Sequence, residues 1–126
     1  MDVAGGAVKI YIASPYTAGD VAQNGRLQSG AAEQLRAAGH LPFWPLHSHY
    51  WHEVFPHDWQ FWMDMDLEWV AHMDVVLRLP GESAGADMEI ERAAALGLPV
   101  FFSVEEFCNY ANYCSRLAGH LEHETV

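Results

Sequence analysis

The sequence is short of positive charge. Of 126 residues only six are Lys or Arg, against 17 Asp or Glu, and the formal net charge is −11. Duplex nucleic acid is a poor partner for such a chain, because phosphate backbones need a basic footprint. A single nucleotide is not excluded, but its phosphate would be held largely by backbone amides and hydroxyls, with at most one or two arginines. Cysteine is scarce too: Cys108 and Cys114 are the only two, six apart on a predicted helix and poorly placed to pair. The N-terminal Met1-Asp2-Val3-Ala4-Gly5-Gly6 has no basic stretch followed by an apolar core, so it does not read as a secretory signal. Free thiols without such a signal lead us to expect a reducing, cytoplasmic setting. No apolar run approaches the roughly 20 residues that span a bilayer, so no membrane association is expected. Repeats, low-complexity tracts and linkers are absent as well. What the chain does have is 51% apolar residues and enough length for one core, which predicts a single folded domain over 1–126.

Its pattern alternates strand and helix. Residues 8–14, Val-Lys-Ile-Tyr-Ile-Ala-Ser, predict a first strand. A helix follows from about Val21 or Gly25 to Ala38, with Leu27, Ala31, Leu35 and Ala38 on one face and Gly39 as its stop. Residues 41–46 predict a short second strand, and the prolines there suggest an edge. An aromatic, histidine-rich loop from His47 to His57 comes next. Asp58 then caps a helix in which Trp62 and Trp69 are expected in the core. A continuous apolar third strand is predicted over 74–79, a helix over 86–96 ending at Gly97, a fourth strand over 99–104, and a last helix from Glu105 to Leu117. This order implies an α/β fold: a Rossmann-like or flavodoxin-like three-layer sandwich with a four- to five-stranded parallel sheet. Ligands in such folds sit at the C-terminal ends of the strands. Three loops gather there: 14–20, 47–57 and 80–85.

The third of these carries the strongest chemical signal. Pro80-Gly81-Glu82-Ser83-Ala84-Gly85 joins an apolar strand to a helix that bears Glu89 near its start. Free amides and the helix dipole at such a junction favour an anion. A plain turn capped by Ser83, with Asp87 and Glu89 favoured by the dipole, would read the same way. The loop is not a P-loop, since no Gly-Lys-Ser/Thr follows, and it is not Gly-x-Gly-x-x-Gly.

The spacing Ser83-x-Gly85-x-x-x-Glu89 resembles the nucleotide-hydrolase branch of the nucleoside 2-deoxyribosyltransferase-like superfamily. So do Ile10-Tyr11-Ile12-Ala13-Ser14-Pro15-Tyr16, Asp66-Leu67-Glu68-Trp69-Val70 leading to Asp74-Val75-Val76, and Gly97-Leu98-Pro99-Val100. The likeness covers roughly residues 8–104 and is also to short, little-characterised bacterial and phage members. It implies one domain of that type over 1–126, with loosely packed ends at about 1–6 and 119–126. It implies a glycosidic centre in which Glu89 is the nucleophile and Asp66 the proton donor, with Asp64 as the fallback. An oxocarbenium-like transition state suits such a pair of carboxylates. Substrate contacts are implied at Tyr11, Ser14, Tyr16, His49, Ser83 and Gly85, and Arg26 is a candidate at the phosphate. Members that handle unphosphorylated nucleosides typically carry an aspartate where Ser83 stands, so serine favours a nucleoside 5′-monophosphate. Against that, the hydrolase branch often has a basic residue where this chain has Pro15-Tyr16-Thr17.

Other residues carry weaker signals. His47, His49, His52 and His57 invite a metal, but no carboxylate or cysteine pattern completes a tetrahedral site, so neither metal nor cofactor is expected. His49 or Tyr50 is expected in the sugar pocket and the other histidines to be structural or exposed. Trp51, Phe55, Trp59 and Trp62 could stack on a base or form core. The aromatic last helix, Phe107 to Tyr113, would suit the interface of a homodimer or homotetramer, with Asn109 or Asn112 reaching a neighbouring site. The sequence thus predicts an N-glycosidase or deoxyribosyltransferase acting on a nucleoside or nucleotide. A non-catalytic nucleotide-sensing module of the same fold is one rival. A phosphoribohydrolase of the cytokinin-activating type is another, but its Pro-Gly-Gly-x-Gly-Thr-x-x-Glu loop is not matched at Pro80–Gly85.

Overall fold

A computed structural model describes residues 6–16 and 19–112. The elements run β1 (Lys9–Ala13), α1 (Val21–Ala37), β2 (Leu41–Phe43), α2 (His49–Val54), α3 (Trp59–Ala71), β3 (Val75–Arg78), α4 (Ala84–Leu96) and β4 (Val100–Phe101), and residues 104–112 continue as helix α5. The strands form one parallel sheet in the order β2-β1-β3-β4, with Tyr11 opposite Phe43 on one side and Val76 on the other. As expected, β2 is an edge strand.

Alternation along the strands sorts the core into two layers. Ile10, Ile12, Val75 and Leu77 pack with Ala31, Ala32 and Leu35 of α1 and with Phe107 and Ala111 of α5. Tyr11, Ala13 and Val76 pack on the opposite face with Val70 of α3 and Ala86 and Ala93 of α4. This is the expected three-layer sandwich. Helix stops follow from local chemistry: Asp58 accepts the Phe61 amide to open α3, and Gly97, at φ 74°, closes α4 in the left-handed region where a Cβ is penalised.

Several expectations fail in detail. Leu27 is exposed, and the buried face of α1 turns to Gln28 instead. β2 ends at Phe43, because Pro45 opens a single 3-10 turn, Pro45–Ser48. The segment 47–57 is not an open loop: that turn runs into α2. Trp69 is 41% exposed, stacked on Phe43 with ring centroids 4.6 Å apart, and is not core. Phe107 of α5 is fully buried, so its ring belongs to the core and not to a free aromatic surface. Among the described residues no helix is long and apolar enough to cross a membrane. Residues 1–5, 17–18 and 113–126 lie outside the described part, and with them Cys114, Tyr113 and nearly all of the expected loose ends.

Candidate active site

The sheet order places a crossover point between β1 and β3, where the chain leaves β1 towards one edge and returns to the other. Crevices form at such points, beyond the strand ends. A pocket of about 470 Å³ opens there, lined by Ser14 and Tyr16 after β1, by Ser83–Ala86 and Glu89 of the β3–α4 junction, and by α2 and α3. The two strand-end loops touch closely: at Gly81, φ is 117° and a Cβ would come 2.8 Å from Pro15 Cγ. Only glycine fits there. Gln28 holds the other side of the same loop, its Nε2 donating to the Pro15 carbonyl at 2.9 Å.

Two helices each aim a stripe into this pocket. Trp59, Trp62, Met63 and Asp66 share one face of α3 at helical spacing, and Gly85, Ala86 and Glu89 share one face of α4. Asp66 is 8% exposed and Glu89 3%. Burial pushes the Asp66 carboxyl up to about 7. Burial also pushes Glu89 up, to about 8, with the nearby Asp66 adding to the rise, while the Tyr11 hydroxyl and the Arg78 charge oppose it. Tyr11 Oη donates to Glu89 Oε2. That phenol is itself raised well above its ordinary range, first by burial and then by the carboxylates beside it. It therefore stays protonated and remains a donor. Arg78 sits at the end of β3, donates to the Gly81 carbonyl at 2.7 Å and lies 3.3 Å from Asp87, bracing the loop that leads to α4.

At the start of α4, Ser83 Oγ accepts from the Ala86 amide at 3.0 Å. The amides of Ala84 and Gly85 have no acceptor among the described residues, and both residues line the pocket. The hydroxyl of Ser83 keeps its own proton to donate. Gly85 is an ordinary helical residue, and a Cβ there would meet Met63 Sδ at 3.5 Å. Tyr16 Oη meets His49 Nδ1, and His49 Nε2 lies 2.9 Å from Glu53 Oε1.

Of the residues singled out from sequence, Glu89, Asp66, Ser14, Tyr16, His49, Ser83 and Gly85 converge on this pocket. Tyr11 stands behind it, fully buried against Glu89. Asp64 points away, exposed and accepting from Gln60 Nε2 at 2.6 Å. Arg26 is also exposed, outside the pocket, and bonded to Gln23. Tyr50, expected as a possible pocket residue, is 75% exposed and does not line it. His52, His57 and Ser48 do line it. Their signal was the histidine density of 47–57, which sequence alone left between structural and exposed roles.

The Rossmann-like sheet with its crossover-point pocket defines a class. In the solved structures the chain is similar to a 2-deoxyribosyltransferase from the psychrotolerant bacterium Bacillus psychrosaccharolyticus. The match has 26% identity and a TM-score of 0.57 over 73% of this chain and 69% of that one. That enzyme is characterised as a biocatalyst for the industrial synthesis of antiviral and antitumoral nucleosides. Within that fold, the chain belongs to the family described as Domain of unknown function (DUF7768), whose model matches residues 8–103. No curated protein matches it.

Proposed function

We propose that the protein is an enzyme that cleaves the N-glycosidic bond of a (deoxy)nucleoside, preferably a 5′-monophosphate, and passes the sugar to water or to a second base. One observation carries this reading: two carboxylates, Asp66 and Glu89, are buried in one pocket of nucleoside size, and one of them is held by a phenolic donor. The similarity to a deoxyribosyltransferase supports it.

Glu89 attacks C1′ as the C1′–N bond breaks. The bonding pair stays on the base nitrogen, and Asp66 supplies the proton that neutralises it. Water or a new base then attacks C1′ of the glycosyl ester, Asp66 takes the proton that the incoming water O–H or base N–H gives up, and Glu89 leaves as carboxylate. Substrate sets the needed protonation. Positive charge growing at C1′ lowers Glu89, whereas a neutral base beside Asp66 adds desolvation and keeps its proton on. The Ser83 hydroxyl with the Ala84 and Gly85 amides would hold the 5′-phosphate. The expected homo-oligomer carries over as part of this reading, and sedimentation equilibrium tests it: the mass of a single chain would remove it.

The experiment is to follow base release from a panel of nucleosides and nucleotides with wild-type protein and Glu89→Ala. A loss of about a thousandfold or more is expected on removing the nucleophile. Equal rates would sink the mechanism. Ligand-induced thermal stabilisation with no base release would favour a nucleotide-sensing module instead.

A further inference from the structure

Asp66 fixes where the base must lie. To protonate the leaving nitrogen it has to touch it, so the base runs along α3. Trp62 is one helical turn before Asp66 on the same pocket-lining stripe. The surroundings of Trp62 are therefore the surroundings of the base.

His52 of α2 and His57 are both found there, and His52 is the one hydrogen-bonded to the Trp62 indole. Its Nδ1 accepts from the Trp62 indole Nε1–H at 2.6 Å and from the His57 backbone amide at 3.3 Å. The two rings meet edge to face, centroids 5.5 Å apart. An indole N–H and a backbone amide can only donate. Nδ1 must then present its lone pair, and the proton of the neutral ring must sit on Nε2. His52 lines the pocket, and its Nε2 bonds to no described residue. An Nε2–H turned to the pocket is a donor that cannot become an acceptor, because the other tautomer would set the Nδ1–H against the Trp62 and His57 N–H groups.

The remaining pocket histidines lack this property. His49 uses both nitrogens, one with Tyr16 and one with Glu53. His57 lies flat on Phe61 at 3.8 Å, and neither ring nitrogen bonds to a described residue. Its tautomer is free.

We propose that His52 is a specificity-determining residue on the base side of the pocket. Its fixed Nε2–H selects a leaving group with a carbonyl at that point, a 6-oxopurine or 4-oxopyrimidine, over the amino counterpart. The place of the base rests on the glycosidic reading; the tautomer does not. An oxo base answers the donor with an acceptor. An amino base sets donor against donor and leaves both unpaired in a partly dry site, which weakens it by about tenfold or more.

Two measurements test this without requiring turnover. Long-range ¹H–¹⁵N spectra of histidine-labelled protein should show neutral His52 as the Nε2–H tautomer, with a larger share of Nδ1–H in Trp62→Phe, where only the His57 amide still donates to Nδ1; an Nδ1–H tautomer in the wild type overturns the proposal. Free hypoxanthine and adenine, titrated separately, should differ by about tenfold in affinity, with hypoxanthine tighter. The preference should weaken in Trp62→Phe and vanish in His52→Phe, with thermal melts confirming that both fold. Equal affinities, no measurable binding of either base, or a preference that survives both substitutions overturns it. A protein that releases no base but passes both tests would sink only the glycosidic reading. One that releases base but binds both purines alike would sink only the donor lock.

Discussion

A single phenol opposes the burial of the Glu89 carboxyl. Tyr11 lies on an inner strand and has no surface of its own, so among the described residues its hydroxyl bonds only to Glu89. A donor to a carboxylate stabilises the charged form, here against the burial that raises it. We therefore expect Tyr11→Phe to raise the Glu89 carboxyl further and to lower kcat/KM by about tenfold, the usual range for one lost hydrogen bond to a charged group. The pH–rate profile separates this from simple loosening. On the proposed mechanism the Asp66–Glu89 pair works with one proton, so the wild-type profile should be bell-shaped around 7 to 8. In Tyr11→Phe its alkaline limb should move to higher pH. An unshifted limb with a lower plateau would make Tyr11 only a packing residue. Sequence pointed to Tyr11 as a substrate contact, and the structure gives it this other place. The bond joins residues 78 apart in sequence, a pairing that only the sheet and α4 together create.

Between strand and helix, Ser83 has two duties that can be separated. As cap of α4 it accepts from the Ala86 amide, and α4 is the helix that carries Glu89. As a pocket residue it has a hydroxyl proton that, on the proposed reading, a substrate phosphate would accept. Ser83→Ala should cost about 1 kcal/mol of stability through the lost cap. Ser83→Asp should keep stability, since aspartate caps as well as serine and its charge suits the helix N-terminus. It should nevertheless lose activity on 5′-monophosphates while sparing unphosphorylated nucleosides, because a carboxylate repels the phosphate. Melting curves with the substrate panel read both effects, and equal losses on both substrate types would remove the phosphate from this loop. The elements legible from sequence were those whose pattern was strong: the apolar runs of β1 and β3, the Asp58 and Ser83 caps, the Gly97 stop. α2 was not legible. Its six residues, His49–Val54, are too few for a periodic pattern, and flanking prolines and a high density of rings read as loop. Burial in the aromatic residues was equally hard to read, since Trp62 and Trp69 share a helix but one lines the pocket and the other covers the edge-strand residue Phe43.

Taken as a whole, the molecule holds its acids under strain. The net charge is −11, and two of the carboxyls among the described residues are buried. Both have folded-state values above their unfolded values near 4, so between about 4 and 8 the folded protein binds more protons than the unfolded chain. The stability contributed by these two neutral carboxyls is complete below about pH 4. It is lost as pH rises through about 7 for Asp66 and about 8 for Glu89. Glu89→Gln removes one of these titrations while keeping an acceptor for Tyr11. The variant should be more stable than wild type at about pH 8.5, by on the order of a few kcal/mol, and the difference should close near pH 4. Self-repulsion cannot mimic this, because the variant changes the net charge only from −11 to −10. Thermal unfolding of both proteins across that range is the check. Parallel curves would mean that Glu89 is not strained by burial, and the case for a pre-tuned acid pair would fall with it. A widening gap towards high pH, together with loss of base release in the same variant, would tie the cost in stability to the group that performs the chemistry.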